Sequence, residues 1–127
     1  MAFNWSEYLA LAQELPKKSS SSGNMEAKLR SAISRAYYAA YCKSRNHMQH
    51  KDMKSFPSYK VNKHDFVKQH FLNDTDKARK SIGANLDRLR EERNKADYDN
   101  SFKGNLLNTT QKSISQTQKL FSKLSSL

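Results

Sequence analysis

Apolar residues recur every three or four positions in five separate stretches of the chain, a spacing typical of helices that bury one face. The first stretch covers residues 4–15, and the second begins at Met25, behind Asn24 as a predicted N-cap, and reaches about His47. Between them, Pro16 and the serine run after it predict a flexible loop. The predicted buried positions of these two helices are Trp5, Tyr8, Leu9, Ala12 and Leu15, then Leu29, Ile33, Ala36 and Ala40 with Tyr37 and Tyr41 beside them.

Three further helices follow a crossover that contains a proline. Residues 48–60 have no helical period, and Asn62 is the predicted N-cap of a short helix that ends near residue 71. Asp74 or Thr75 is predicted to open the fourth helix. The predicted buried stripes are Ala78, Ile82, Leu86, Leu89, Arg93 and Ala96 in the fourth helix, and Leu107, Ile114, Thr117, Phe121 and Leu124 in the last.

Four main helices and one short one predict an all-α, up-and-down four-helix bundle with an additional short helix, as a single domain over residues 1–127. Only 36% of the residues are hydrophobic and the mean hydropathy is -0.94. The core is therefore expected to be thin, which favours a homodimer. The single Cys42 is predicted to lie in the core and indicates a reducing compartment. Without a leader or a membrane-spanning apolar run, the sequence predicts a soluble cytoplasmic protein.

The formal net charge of +11 favours a polyanionic partner such as RNA. Eight lysines on the crossover and in the acid-free stretch from residue 101 onward are the predicted phosphate contacts. They are Lys51, Lys54, Lys60, Lys63, Lys103, Lys112, Lys119 and Lys123.

Cofactor and metal chemistry find no pattern in the sequence. One Cys and four scattered His match no metal-ligand spacing, and neither a glycine-rich phosphate loop nor a G-x-S-x-G elbow occurs. We therefore expect no metal and no cofactor. The four histidines are His47, His50, His64 and His70. Folding could bring either His64 or His70 to a site, where it would act alone as an acid or a base.

The segment RNKADYD, residues 93–99, places a charge on an apolar stripe. Arg93 falls where the fourth helix calls for an apolar residue, so it must find a carboxylate, a carbonyl or a ligand phosphate. Asp97 lies one turn after Arg93, and Tyr98 one turn after Asn94, which predicts two polar pairs. An ion pair of Arg93 with Asp97 that only fixes the helix end is the structural alternative.

The segment SAISRAYYAAY, residues 31–41, combines small and aromatic residues. Its alanines allow close helix packing, while buried tyrosine hydroxyls need hydrogen-bond partners. Core packing is one interpretation of this run. In the other, Arg35 and Tyr38, one turn apart, face the region of Arg93 and belong to the binding site.

Together the segments RSAISRAYYAAY, residues 30–41, and residues 86–98 resemble the HEPN domain family of prokaryotes. Ala-Tyr-Tyr-Ala and Arg-x-x-Ala-Asp-Tyr are both characteristic of one branch of that family, and the resemblance covers nearly the whole chain. It implies a small helical bundle. Many members are metal-independent ribonucleases, often toxins or defence effectors, whose paired subunits line a cleft with an Arg, the polar residue after it and a His.

The resemblance carries Arg93 and Asn94 onto that catalytic motif, while Asp97 or Tyr98 occupies the place of its His. These four residues are the candidate catalytic set. Two functions follow from the resemblance: an RNA-directed toxin or defence ribonuclease with an atypical motif, or a non-catalytic relative. The relative would bind nucleic acid or a partner protein, such as a nucleotidyltransferase-like antitoxin.

Overall fold

The computed structural model describes residues 3–17 and 24–127, and every regular element within them is helical. This confirms the predicted helical bundle with an additional short helix. The loop predicted after Pro16 lies, from residue 18 to residue 23, outside the described residues. The helices are α1 Ser6–Glu14, α2 Met25–His50, α3 Lys63–Leu72, α4 Lys77–Tyr98 and α5 Leu106–Ser126, with a 3-10 turn Leu15–Lys17 after α1. None of the described helices is both long and apolar enough to cross a membrane.

Helix α2 is the centre of the bundle, because α1, α4 and α5 all pack against it. Helix α3 lies mainly against α4. The apolar stripe predicted for α2 is buried, and so is that of α4 except at Ala78 and Arg93, which are half-buried. Cys42 is a free thiol in the same core. The main core cluster includes Tyr37, Ala40, Tyr41, Cys42, Met48, Val67, Phe71, Ile82, Leu86, Leu89, Leu120 and Leu124.

The contact between α2 and α5 is made by small side chains and hydroxyl groups. Ala32 and Ala36 are fully buried on α2. Facing them, the Thr117 hydroxyl donates to the carbonyl of Ala36 at 3.1 Å, and the Thr110 hydroxyl lies 2.8 Å from the carbonyl of Leu106 in its own helix and 3.3 Å from the carbonyl of Leu29 in α2. Small residues let the two backbones approach, and the buried hydroxyls are satisfied by main-chain acceptors.

The buried face predicted for α5 is wrong at its first position. Leu107 is 47% exposed, and Ile114 and Phe121 are only half-buried. Because α5 approaches α2 through hydroxyl-bearing residues, the face is rotated from the one that apolar residues alone predict, which leaves Leu107 at the rim. The buried positions of α5 are Thr110, Ser113, Thr117, Leu120 and Leu124.

Helix caps follow the predictions in part. The Asn62 side chain accepts the N–H of Asp65 at 3.0 Å, as expected. Asn24 precedes α2 but its side chain makes no capping hydrogen bond, since its backbone is already in a near-helical conformation (φ -102°, ψ -3°). The prediction of a side-chain cap there is wrong.

The start of α4 is also later than predicted, because the N-cap is Asp76 rather than Asp74 or Thr75. The Asp76 carboxylate accepts the N–H of Arg79 at 3.0 Å. Asp74 instead accepts the N–H of Asp76 at 2.9 Å, which turns the chain before the helix begins.

Asp52 fastens the crossover between α2 and α3 to the rest of the bundle. Its carboxylate accepts two hydrogen bonds from Arg79, at 2.8 and 2.6 Å, and lies 2.8 Å from His70 Nε2. His47 Nε2 is 3.6 Å away. Hydrogen bonds from Arg79 first, and also from His70, lower the pKa of Asp52 to about 2 against the opposing effect of burial. The crossover is thus tied to α2, α3 and α4 at once.

Gly83 marks the closest approach of α4 to α3. A Cβ atom on Gly83 would lie 2.7 Å from Leu72 Cγ, 2.8 Å from the Leu72 backbone nitrogen and 3.0 Å from the Lys68 carbonyl oxygen. Two of these three atoms belong to the backbone, so the neighbouring helix itself would have to move.

We expect Gly83→Ala to destabilise the protein by about 1–3 kcal/mol, the usual cost of overpacking. At an open helix position the same change would stabilise by about 1 kcal/mol. Ala84→Gly at the adjacent exposed position measures the helix-propensity effect alone. Chemical denaturation checks both variants, and a Gly83→Ala protein as stable as wild type would show that the helices separate without cost.

Candidate functional site

Arg93 lies in the penultimate turn of α4 and its side chain is 15% exposed. It donates through Nη2 to the Tyr38 hydroxyl and through Nη1 to Asn94 Oδ1 at 3.0 Å. Its Nε is 2.9 Å from Asp97 Oδ2, but this buried N–H is not aligned with that oxygen and makes no hydrogen bond in the described structure. The charge on the apolar stripe is therefore paired, with one donor of the guanidinium left unsatisfied.

Three polar residues of α2, each one turn from the next, hold the end of α4 in place. Arg30 Nη1 donates to the carbonyls of Ala96 at 3.0 Å and Asp99 at 2.7 Å, which satisfies the carbonyl end of α4 with a cation. Ser34 donates to the Asp97 carboxylate at 3.2 Å, and Tyr38 accepts from Arg93. We call Arg30, Ser34 and Tyr38 the polar edge of α2.

His64 reaches the same region from the first turn of α3. Its ring is stacked on Tyr41 with centroids 4.1 Å apart, and its Nδ1 is 2.5 Å from the Tyr37 hydroxyl. The ring centroid of Tyr38 is 6.2 Å from that of His64. Tyr38 thus contacts both the imidazole and the Arg93 guanidinium, whose central carbon lies 5.0 Å from the centre of the Tyr38 ring.

Burial sets the protonation of these rings. Burial, and to a smaller extent the charges of Arg90 and Arg93, lower the pKa of His64 to about 4, so the imidazole is neutral at pH 7. Burial also raises the pKa of the Tyr37 hydroxyl well above its usual value, so that hydroxyl keeps its proton. A Tyr37 hydroxyl that donates to Nδ1 leaves the imidazole proton on Nε2.

The candidate catalytic residues lie in the last two turns of α4, and their side chains have different surroundings. The predicted pair of Arg93 and Asp97 is present, whereas Asn94 binds Arg93 instead of pairing with Tyr98. The Asn94 amide oxygen accepts from the guanidinium of the residue next to it, and it therefore does not bind the Tyr98 hydroxyl one turn further along the helix. Tyr98 is 72% exposed, and its ring centre lies 5.6 Å from the Arg93 guanidinium carbon.

Of the two α2 residues predicted to face Arg93, Tyr38 does and Arg35 does not. The guanidinium carbon of Arg35 lies 5.1 Å from the ring centre of Tyr8, on the α1 side of the bundle. The prediction for Arg35 is wrong because residues three apart on a helix diverge enough to meet different neighbours when both α1 and α4 pack on α2.

The predicted basic contacts are spread over the surface rather than gathered at Arg93. Lys51 lines a cavity of about 320 Å³ with Lys43 and Phe121. Lys54 and Lys63 lie over the rings of Phe66 and Phe56, while Lys123 contacts the Ser81 hydroxyl. The remaining predicted lysines, Lys60, Lys103, Lys112 and Lys119, are exposed.

Two parts of this region were not predicted from sequence. Arg30 is four residues before Ser34 and eight before Tyr38, so the sequence indicates that the three share one face of α2. It does not indicate that this face meets the end of α4. His64 was one of two alternatives, and it is the one next to Tyr38, whereas His70 binds Asp52. Among the described residues, no group of three or more His, Cys, Asp or Glu side chains is arranged to hold a metal ion.

Comparison with protein-family models, with curated proteins and with solved structures finds no match to this chain.

We expect the free energy of unfolding to fall as the pH drops from about 6.5 to about 4. In this range His64 is protonated in the unfolded chain but stays neutral in the folded protein, so protonation favours the unfolded state. His47, whose pKa burial also lowers, acts in the same direction. His64→Phe should flatten this slope. Denaturant unfolding at several pH values measures it.

The matched control is Tyr37→Phe, which removes the hydroxyl but keeps an imidazole buried at residue 64. It should lose stability at every pH and retain most of the slope. A His64→Phe protein with the wild-type slope would show that His64 does not titrate in this range.

Proposed function

We propose that this chain is a HEPN-like, RNA-directed protein that binds phosphate groups at Arg93. The observation that supports this most directly is a guanidinium held in one orientation by Tyr38, Asn94 and Asp97, with part of its side chain exposed. A preorganised guanidinium is well suited to phosphate oxygens, because its donors need not be ordered when the ligand arrives.

The charge distribution supports RNA as the polyanion. The net charge is +11, and the exposed lysines of the crossover and of α5 provide contacts that depend on charge and not on base identity. The toxin or defence role, and an antitoxin partner of the nucleotidyltransferase-like class, belong to this proposal only through the HEPN resemblance.

The groups around Arg93 and His64 are better suited to binding RNA than to cleaving it. Cleavage of RNA without a metal needs a base for the 2′-hydroxyl, an acid for the leaving oxygen and a cation for the phosphorane. Arg93 can act only as the cation. With its Nδ1 bound by the Tyr37 hydroxyl, His64 offers an N–H and no free lone pair. Arg93 and His64 therefore both offer donors to an anion, while the Asp97 carboxylate is paired with Arg93 and accepts from Ser34.

Metal-independent ribonuclease activity is the second candidate, and one observation favours it. A neutral imidazole lies beside Tyr38, which itself holds Arg93, so a base and a cation come from different helices to one region. Loss of the hydrogen bond from Tyr37 to Nδ1 in the RNA complex would free the lone pair that the reaction needs.

The shared cleft implied by the resemblance also makes a homodimer part of the proposal. The exposed Tyr98 ring beside Arg93 is the surface that a second subunit would cover. Sedimentation at micromolar concentration should show a dimer that Tyr98→Ser weakens. Control variant Tyr59→Ser, which alters an equally exposed tyrosine on the crossover, should leave the dimer intact. A monomeric wild-type chain would remove the shared cleft from the proposal.

We expect Arg93→Gln to weaken RNA binding by roughly tenfold or more, because a charge-assisted hydrogen bond contributes about 1.5–3 kcal/mol. The dependence of affinity on salt should also fall by about 0.7 per lost phosphate contact. Arg88→Gln, an equal charge change at an exposed position of the same helix, is the control. Fluorescence anisotropy at two salt concentrations measures both effects, with thermal melting to confirm folding.

If Arg93→Gln and Arg88→Gln weaken RNA binding equally, there is no site at Arg93. If the affinity does not change with salt concentration, the protein does not recognise phosphate groups. Incubation of the same RNA with the protein in EDTA decides the second candidate. Cleavage that Arg93→Gln and His64→Phe both abolish would favour the ribonuclease, and intact RNA would leave binding as the function.

A further inference from the structure

The aromatic residues at the start of the described chain form a cluster on the surface of α1. The ring of Phe3 meets Trp5 and Tyr8 edge-on, with centroids 4.8 and 5.5 Å apart, and Trp5 meets Tyr8 at 5.3 Å. Phe3 is 47% exposed, and Trp5 and Tyr8 are half-buried. We call Phe3, Trp5 and Tyr8 the α1 aromatic cluster. Trp5 also packs against the main core cluster, and Phe3 is the most open of the three rings.

Arginines of α2 border this cluster. The guanidinium carbon of Arg45 lies 5.6 Å from the ring centre of Trp5 and 5.9 Å from that of Tyr41. Arg35 lies over Tyr8 at 5.1 Å. Within residues 3–17 and 24–127, neither arginine is paired with a carboxylate, so both charges are available to an anion.

The contacts continue from Arg45 to the site at Arg93 without a break. Tyr41 stacks on His64, His64 meets Tyr38 edge-on, and Tyr38 holds Arg93. Arg93 then lies beside the exposed ring of Tyr98. A continuous row of contacts therefore runs from the α1 aromatic cluster, across α2 and α3, to the end of α4, with three consecutive rings at its centre and a guanidinium group, Arg45 or Arg93, near each end. The inner ring of Tyr41 is buried, while the two ends of the row are open to solvent.

From this row we infer that the α1 aromatic cluster, with Arg45, is a second contact for the RNA bound at Arg93, and that the RNA is single-stranded. The inference rests on the proposed function, since it extends the RNA site from one end of the row to the other. Unpaired bases stack on exposed aromatic rings, and arginines between the rings bind the phosphates. A duplex keeps its base faces covered and cannot use Phe3 or Trp5.

The test is the binding of a fluorescein-labelled single-stranded RNA of mixed sequence to the full chain, compared with the same strand in a duplex. We expect the duplex to bind at least roughly tenfold more weakly, because stacking on the rings is lost. Trp5 is the single tryptophan of the protein. Its emission should be quenched when the single strand saturates the protein, and should stay unchanged with the duplex.

Two variants separate stacking from charge. Phe3→Ala should weaken binding of the single strand roughly 5- to 10-fold with an unchanged salt dependence, whereas Arg45→Gln should also reduce that dependence by about 0.7. Leu107→Ala, at a side chain that is also 47% exposed, is the control for Phe3, and Arg88→Gln is the control for Arg45. Both controls should bind as wild type does, and thermal melting confirms that all variants fold.

The outcomes distinguish this inference from the proposed function. If Arg93→Gln weakens binding while Phe3→Ala and Arg45→Gln match their controls, the second contact is wrong and the site at Arg93 stands. Equal affinity for duplex and single strand, or unquenched Trp5 emission, also overturns the inference. If the wild-type protein binds no RNA, or Arg93→Gln binds as well as wild type, the proposed function itself fails.

Discussion

The pairing of the Arg93 guanidinium determines how α2 and α4 meet. A cation on the apolar stripe of a helix cannot be left in the core alone, and moving it to solvent would pull the last two turns of α4 away from the bundle. Tyr38 resolves this conflict, because its ring packs against the core cluster while its hydroxyl accepts from the guanidinium. In the same way, Ser34 donates to the Asp97 carboxylate and Arg30 donates to carbonyls at the end of α4.

Only 36% of the residues are hydrophobic, which is consistent with a bundle whose helices also meet through hydrogen bonds. Where α5 crosses α2, the buried Thr117 hydroxyl donates to the Ala36 carbonyl of the facing helix, and the buried Thr110 hydroxyl donates to a main-chain carbonyl, that of Leu106 in its own helix being nearer than that of Leu29 in α2. Each such bond contributes about 1 kcal/mol, and leaving either hydroxyl unpaired would cost more. Close packing of alanines against these residues then adds dispersion contacts without large side chains. Polar pairing between helices therefore adds to apolar burial in fixing how the helices of the bundle meet.

Periodicity predicted the parts of the fold that depend on one helix at a time. The stripes of α2 and α4, including the unusual place of Arg93, follow from spacing alone. The face of α5 does not, since burial of Thr110 in place of Leu107 depends on what α2 offers opposite it. The partners of Arg35, of His64 and of Asp52 come from distant parts of the chain, and no local pattern of one sequence encodes such distances.

The proposed site shows why a histidine that folding brings close to Arg93 is not thereby a catalytic base. A catalytic imidazole needs a lone pair directed at the substrate and a pKa near the working pH. His64 lies near the guanidinium, but burial lowers its pKa to about 4 and the Tyr37 hydroxyl occupies its Nδ1. The same burial that stacks the ring on Tyr41 thus reduces its value as a base. The guanidinium of Arg93, fixed by Tyr38, Asn94 and Asp97, is then the main group that the proposed site offers to a phosphate, and for this reason we propose binding ahead of cleavage.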